Sequence, residues 1–171
     1  MSLDWWLSFF VAFAFMEWAA WALHKYVMHG FLWSLHEDHH VINKKSRFQK
    51  NDLFAVFFAV PSFLAILYGS LGGPAWIEGA GYGVMLYGIV YFMVHEVAIH
   101  RRWRFFNLKG RYIESLRIAH HHHHQVQSKE GASNFGMLVP PLHYFTMSMK
   151  DLRRLSPAYQ AAHSKSGDSS D

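Results

Sequence analysis

The chain has 171 residues, 51% of them hydrophobic and 18% aromatic, with a formal net charge of +4 and no cysteine. The length fits one domain, and the lack of cysteine excludes a disulfide framework, thiolate metal sites and iron–sulfur clusters. The basic balance does not point to nucleic acid, because Lys and Arg collect in stretches that flank long apolar segments, as on the cytoplasmic face of a membrane protein.

Residues 3–23, LDWWLSFFVAFAFMEWAAWAL, hold no Lys or Arg and are long enough to cross a hydrocarbon core of about 30 Å. The helix is expected to run on through His24 and His29 and to end at Gly30. A signal peptide is the alternative for this segment, disfavoured by the missing basic n-region. Glu17 lies seven residues before His24, on the same helical face. An acid inside a span is a functional candidate, here as a support for the histidines or a polar cavity, or simply as a solvated group near the membrane edge. Residues 31–51 form a polar connection with His36, His39 and His40 and a first basic cluster of Lys44, Lys45, Arg47 and Lys50.

Residues 53–71 form a second span, with Pro61 expected to kink it. Gly72, Gly73 and Pro74 make a turn, and residues 75–94 a third span that ends at His95. A second basic cluster follows, from Arg101 to Arg117, and then His120, His123 and His124. The stretch from Arg101 to about Arg154 is expected to lie on the membrane surface, and the tail SKSGDSSD to be disordered. The expected architecture is an all-α integral membrane bundle of about three transmembrane helices with a cytoplasmic, histidine-rich helical cap. Residues 1–160 are expected to form one domain and 161–171 a polar tail. Both basic clusters lie on the histidine-bearing side, which is therefore expected to be cytoplasmic, with the N-terminus outside. A soluble bundle of buried helices is the other architecture that the apolar segments allow.

Ten of the fourteen histidines fall into two spacings, each used twice. His24/His29 and His95/His100 are HxxxxH; His36/His39/His40 and His120/His123/His124 are HxxHH. The His120–His124 run is internal and precedes KEGASNFGMLVPP, which does not fit a purification tag. Neutral imidazole binds iron, copper, nickel and zinc. Ten are too many for one ion and suit two ions sharing a pocket. Residues i, i+3 and i+4 share a helical face, so each HxxHH set converges, leaving His121 and His122 pointing elsewhere. Positions i and i+5 lie about 140° apart on an ideal helix. Either the helix ends or bulges at HxxxxH, or the two histidines serve different metals. Glu37, Asp38, Glu96 and Glu114 lie in or near these blocks. A ligating histidine usually bonds a carboxylate or carbonyl through its other nitrogen, and Asp38 is the first candidate for that role; otherwise these acids face solvent or pair with Arg.

The full strings HKYVMHGFLWSLHEDHH, HEVAIHRRW and AHHHHHQVQSKEGASNFGMLVPP resemble the bacterial β-carotene 3-hydroxylases, non-haem members of the membrane-bound di-iron desaturase and hydroxylase superfamily. The resemblance runs from about His24 to Leu142. It implies hydroxylation of C3 of the β-ionone rings of β-carotene, giving zeaxanthin by way of β-cryptoxanthin. It also implies molecular oxygen and an external, ferredoxin-type electron donor. The ten histidines would then hold two iron ions, with zinc possible in purified protein. The basic surface from Arg101 to Arg117 either docks that donor or reflects topology alone. Two rivals stand beside this reading: the same chemistry on a fatty acid or sterol, and a non-enzymatic metal transporter or sensor. The second is disfavoured because its ligands should line a path at mid-membrane, whereas these histidines sit at span ends.

Overall fold

The computed structural model describes residues 1–41, 48–103 and 105–156, and all regular structure among them is helical. In chain order the elements are α1 (Leu3–Ala22), a π-helical segment (Leu23–Phe31), α2 (Trp33–His40), a short 3₁₀ turn (Lys50–Asp52), α3 (Leu53–Ser70), α4 (Ala75–Phe92), a second π-helical segment (Met93–Ile99), α5 (Arg111–His124), α6 (Leu142–Thr146) and α7 (Met149–Arg154). Lys44, Lys45, Arg47, Arg104 and the tail lie outside the described residues.

Three helical stretches are long and apolar enough to cross a membrane: Leu3–Phe31, Lys50–Ser70 and Ala75–Ile99. In a bilayer every backbone polar group must be satisfied within the protein, and helices do this with local bonds. Their outer faces carry exposed large apolar side chains such as Phe10, Phe15, Phe57, Leu64 and Trp76, which is what lipid contact requires and water would penalise. Pro61 lies inside a continuous α3.

α4 packs against both α1 and α3. Its glycines set how closely. A Cβ on Gly83 would lie 2.3 Å from the Phe9 carbonyl oxygen of α1, and one on Gly81 would lie 2.9 Å from the Ser62 carbonyl oxygen of α3. Bare backbone therefore meets backbone on two sides of α4, the small-residue packing of helices that have no hydrophobic drive between them. The Ser62 hydroxyl donates to the Gly81 carbonyl at 2.8 Å across the α3–α4 contact.

Beyond the spans, Ile118 and Ala119 of α5 bury against Tyr144 of α6 and Leu152 of α7, with Met147, Met149 and Leu155 around them. This small core fixes α5 over the ends of the long helices. Arg111 donates to the Met147 carbonyl at 2.6 Å, and the Ser115 hydroxyl to the Arg111 and Tyr144 carbonyls. The helical cap expected from the sequence is this α5–α7 unit together with α2.

Candidate metal centre

The histidines gather where the two long helical stretches end, at α2 and at the C-terminal half of α5. Two groups form. His24, His29, His36, His40 and His123 make the first, and His39, His95, His100 and His120 the second; within each group the candidate ligand atoms all lie within 4.8 Å of one another. His124 adjoins the second, its Nε2 2.8 Å from that of His120.

The HxxxxH pairs owe their convergence to local helix geometry. His24 and His29 lie in the first π segment, and His95 leads to His100 through the second. Here backbone bonds run from i+5 to i: the His100 amide donates to the His95 carbonyl at 2.9 Å, and Leu32 to Val27 at 3.0 Å. The extra residue per turn brings i+5 back over i, so each pair serves one group rather than two. Gly30 then breaks the helical dihedrals (φ −110°, ψ −125°), which reorients the chain into α2. On α2 the HxxHH spacing divides: His36 and His40 face the first group and His39 the second. On α5 it divides likewise, with His123 in the first and His120 in the second.

The hydrogen bonds outside each ring fix its tautomer. Nδ1 of His24 donates to the Phe135 carbonyl (3.1 Å), that of His29 to Lys129 (3.0 Å), that of His40 to Val126 (2.8 Å) and that of His123 to Ser133 (2.7 Å). A carbonyl only accepts, so these four Nδ1 atoms carry the proton and their Nε2 atoms present lone pairs. Yet the Nε2 atoms of His29, His40 and His123 approach one another at 3.1 to 3.2 Å, and His24 lies 3.1 Å from His36. Lone pairs so close repel unless a cation sits among them. Nitrogens bound at about 2.1 Å to one ion and at right angles to each other lie roughly 3.0 Å apart. The first group thus fits a bound metal and has no hydrogen-bonding account without one.

In the second group His39 Nε2 lies 3.1 Å from His95 Nε2, and His100 Nε2 lies 2.8 Å from His120 Nε2. Side chains orient these rings: Gln49 Oε1 accepts from His39 Nδ1 at 2.9 Å, and Glu96 Oε1 from His95 Nδ1 at 2.7 Å. Asn51 Oδ1 does the same for His36 at 2.7 Å. Arg102 joins these supports. It pairs with Glu96 at 2.6 Å and with Asp52 at 2.7 Å, and Asp52 accepts from the Gln49 amide at 3.0 Å.

Burial keeps the rings neutral. It is the largest cause holding His36 and His123 at about 3 and His40 at about 4, below the ordinary 6.5, with neighbouring imidazoles adding to it. His39, His100, His120 and His124 are pushed down for the same reasons. Neutral imidazole is the ligand form.

Asp38 does not take the position expected of it. Its Oδ2 accepts from the Lys50 amide at 2.7 Å, so it holds the turn that presents Gln49 and Asn51 and touches no histidine ring among the described contacts. The reason is helical direction: Asp38 follows His36 by two residues and faces away from it. The carboxylate at a ring is Glu96, adjacent to His95 in sequence. Glu37 is exposed, and Glu114 pairs with Arg117. His122 meets the Tyr144 hydroxyl. His121, half-buried, and His143, exposed, join neither group. His163 lies outside the described residues. Gln49, Asn51 and the carbonyls of Val126, Lys129, Ser133 and Phe135 carry no sequence signal; only Glu96 was legible, as an acid beside a histidine.

An apolar cavity of about 660 Å³ opens between α1, α3 and α4. Phe54, Phe58, Phe63, Met85, Ile89 and Phe92 wall it, and its far end reaches His24, Phe135, Glu96 and Arg102. The Phe135 ring lies 5.2 to 5.4 Å from those of His24, His29 and His123 and lines the cavity beside His24.

The sequence profile described as fatty acid hydroxylase matches residues 9–147. The chain is similar to the β-carotene hydroxylase of Pantoea ananas, 42% identical over 85% of this chain and 83% of that protein. It is 41% identical to the β-carotene hydroxylase of Pseudescherichia vulneris over 72% and 69%. It is 34% identical to the chloroplastic β-carotene 3-hydroxylase 2 of Arabidopsis thaliana over 72% of this chain and 41% of the plant protein. No solved structure matches.

Proposed function

Because the chain belongs to the fatty acid hydroxylase family, we propose that it is a membrane monooxygenase that hydroxylates C3 of the β-ionone rings of β-carotene, at two iron ions held by ten histidines. The observation that carries this reading is the placement of two all-histidine groups at the end of an apolar cavity between membrane-spanning helices. The relatives, named β-carotene hydroxylases in bacteria and plants, support the substrate.

His24, His29, His36, His40 and His123 would hold one ion, and His39, His95, His100, His120 and His124 the other. Five converging imidazoles in the first group exceed the four ligands usual for zinc and favour a metal of higher coordination number, such as iron. When bound, iron activates molecular oxygen, and with two electrons and two protons one oxygen atom enters the C–H bond as hydroxyl while the other leaves as water. The chain's own contribution is placement. Phe54, Phe58 and Phe92 give the cavity an apolar wall that takes a hydrocarbon ring and excludes water. Phe135 sets how near that ring comes to His24. Glu96, Gln49, Asn51 and the loop carbonyls aim seven of the ten imidazoles and hold the proton on Nδ1, leaving Nε2 to bind. α1 and α3 flank the cavity with lipid-facing surfaces, so the substrate enters sideways from the bilayer.

No nicotinamide, flavin or haem motif occurs in the sequence, and electrons would come from a separate donor of ferredoxin type. The histidine side would face the cytoplasm of a bacterial inner membrane, the side on which the basic residues collect. Expression in bacteria that make β-carotene tests the proposal. The expected pigments are β-cryptoxanthin and then zeaxanthin, with label from oxygen gas in the new hydroxyl groups. Unchanged pigments beside a hydroxylated fatty acid or sterol would overturn the substrate. No oxidised lipid from protein carrying both ions and a working electron supply would overturn the activity.

A further inference from the structure

Four of the five first-group histidines are oriented by one stretch of chain. Val126, Lys129, Ser133 and Phe135 offer their carbonyls to His40, His29, His123 and His24. This stretch, between α5 and α6, has no helix or strand of its own to hold those carbonyls in register. Its C-terminal end is tied instead to α1. Glu17 Oε1 accepts from the amides of Met137 (3.1 Å), Leu138 (3.0 Å) and Val139 (3.0 Å), while Oε2 accepts from Leu138 (3.1 Å) and from the Tyr87 hydroxyl of α4 (2.7 Å). Three successive amides converging on one carboxylate form a small anion nest, and an acid inside an apolar helix is tolerated where such donors repay its desolvation. Glu17 stands two helical turns before His24 on the same rod, so one helix fixes both a first-group histidine and the loop that orients it. In the second group the orienting acceptors are Gln49 and Glu96, neither of them on that loop.

We infer that Glu17 is a positioning residue for the first metal ion alone, a latch whose carboxylate holds the 126–139 loop so that its carbonyls aim four imidazoles. The inference rests on the reading that the histidines hold two ions. Glu17→Gln keeps the size but sets an NH₂ group against amide donors. It lets the loop drift without touching a histidine. Outer partners of ligating histidines are worth roughly 10- to 100-fold in metal affinity, and that loss should fall on one ion of the two.

The probe is cobalt(II), loaded into detergent-purified full-length protein, with the absorption of each ion assigned from the His123→Ala and His95→Ala variants. Metal content is then followed under graded EDTA. Wild type is expected to hold two ions. Glu17→Gln is expected to release the ion that His123→Ala lacks at a chelator concentration roughly 10- to 100-fold lower, and to keep the other ion at its wild-type retention. A general loss of structure would weaken both ions together, and that result overturns the inference, as does unchanged retention of both. Wild-type protein that never holds two ions overturns the underlying reading instead. Should the variant not fold, hydrogen exchange on wild type decides. Removing the first ion must speed exchange at 126–139, including the three amides on Glu17, because metal binding and loop ordering are linked. Exchange there that ignores the metal refutes the latch.

Discussion

Gly83→Ala adds one methyl group to the middle of α4, and its effect follows from a single contact. The new Cβ would lie 2.3 Å from the Phe9 carbonyl oxygen and 3.1 Å from the Ala12 Cβ, where ordinary contact begins at 3.4 Å. A backbone carbonyl cannot swing away, so α1 and α4 must separate by roughly 1 Å, an overpacking cost of about 1–3 kcal/mol. Alanine returns up to about 1 kcal/mol in helix propensity, which leaves a net loss of roughly 0–3 kcal/mol. Gly88→Ala is the internal control: it lies on the same helix, nothing stands within 4 Å of its Cβ, and it should be neutral or slightly stabilising. The separation also reaches the metal centre. α1 leads into the first π segment and α2, which carry His24, His29, His36, His39 and His40, whereas α4 leads to His95 and His100. The 3.1 Å approach of His39 to His95 spans those two blocks, and metal–ligand distances tolerate about 0.2 Å. Gly83→Ala should therefore weaken the second-group ion more than the first. Unfolding in detergent or bicelles, read beside metal content, measures both effects. Equal stability of Gly83→Ala and Gly88→Ala, with both ions retained, would refute the packing argument.

Glu96→Gln should weaken the second-group ion roughly 10- to 100-fold while sparing the first, because among the described residues its carboxylate serves His95 and Arg102; metal analysis after chelator challenge reads this, and equal loss from both groups would contradict it. In ion-free protein, His36 and His123 are held at about 3 and His40 at about 4, against 6.5 for the free side chain. Lowered folded values mean that the unfolded chain takes up protons first. Stability should be fully present above pH 6.5 and decline as the pH falls towards 3–4; a flat stability profile down to pH 4 would count against the burial of these rings. Gly88→Phe projects a ring into the cavity and should lower carotene hydroxylation at least about tenfold with both ions in place. Normal turnover would show that the substrate lies elsewhere.

The sequence by itself determined the helices and singled out the histidines that gather at their ends. Apolar runs of span length must become helices in a bilayer, because no other local arrangement satisfies their backbone, and the spans at Leu3–Phe31, Lys50–Ser70 and Ala75–Ile99 follow from that. The HxxHH spacing puts three rings on one side of a helix whatever surrounds it, so a shared side for His36, His39 and His40 was legible, but not that His39 would join a different group from the other two. HxxxxH left two outcomes open, and only the folded backbone decided between them: the π segments wind i+5 over i and give each pair to one group. How α2 and α5 divide their histidines between the groups also depends on how the two helices cross. The supports were least legible of all. Asp38 and Glu96 are both acids beside histidines, but helix direction turns one towards the Lys50 amide and the other onto His95. Four of the remaining supports are backbone carbonyls, which every residue carries and no sequence distinguishes. Glu17 stood out as an acid within a span, yet its partners lie about 120 residues away on a loop. Such long-range pairings arise only when the chain has closed on itself, and the tertiary structure alone chose them.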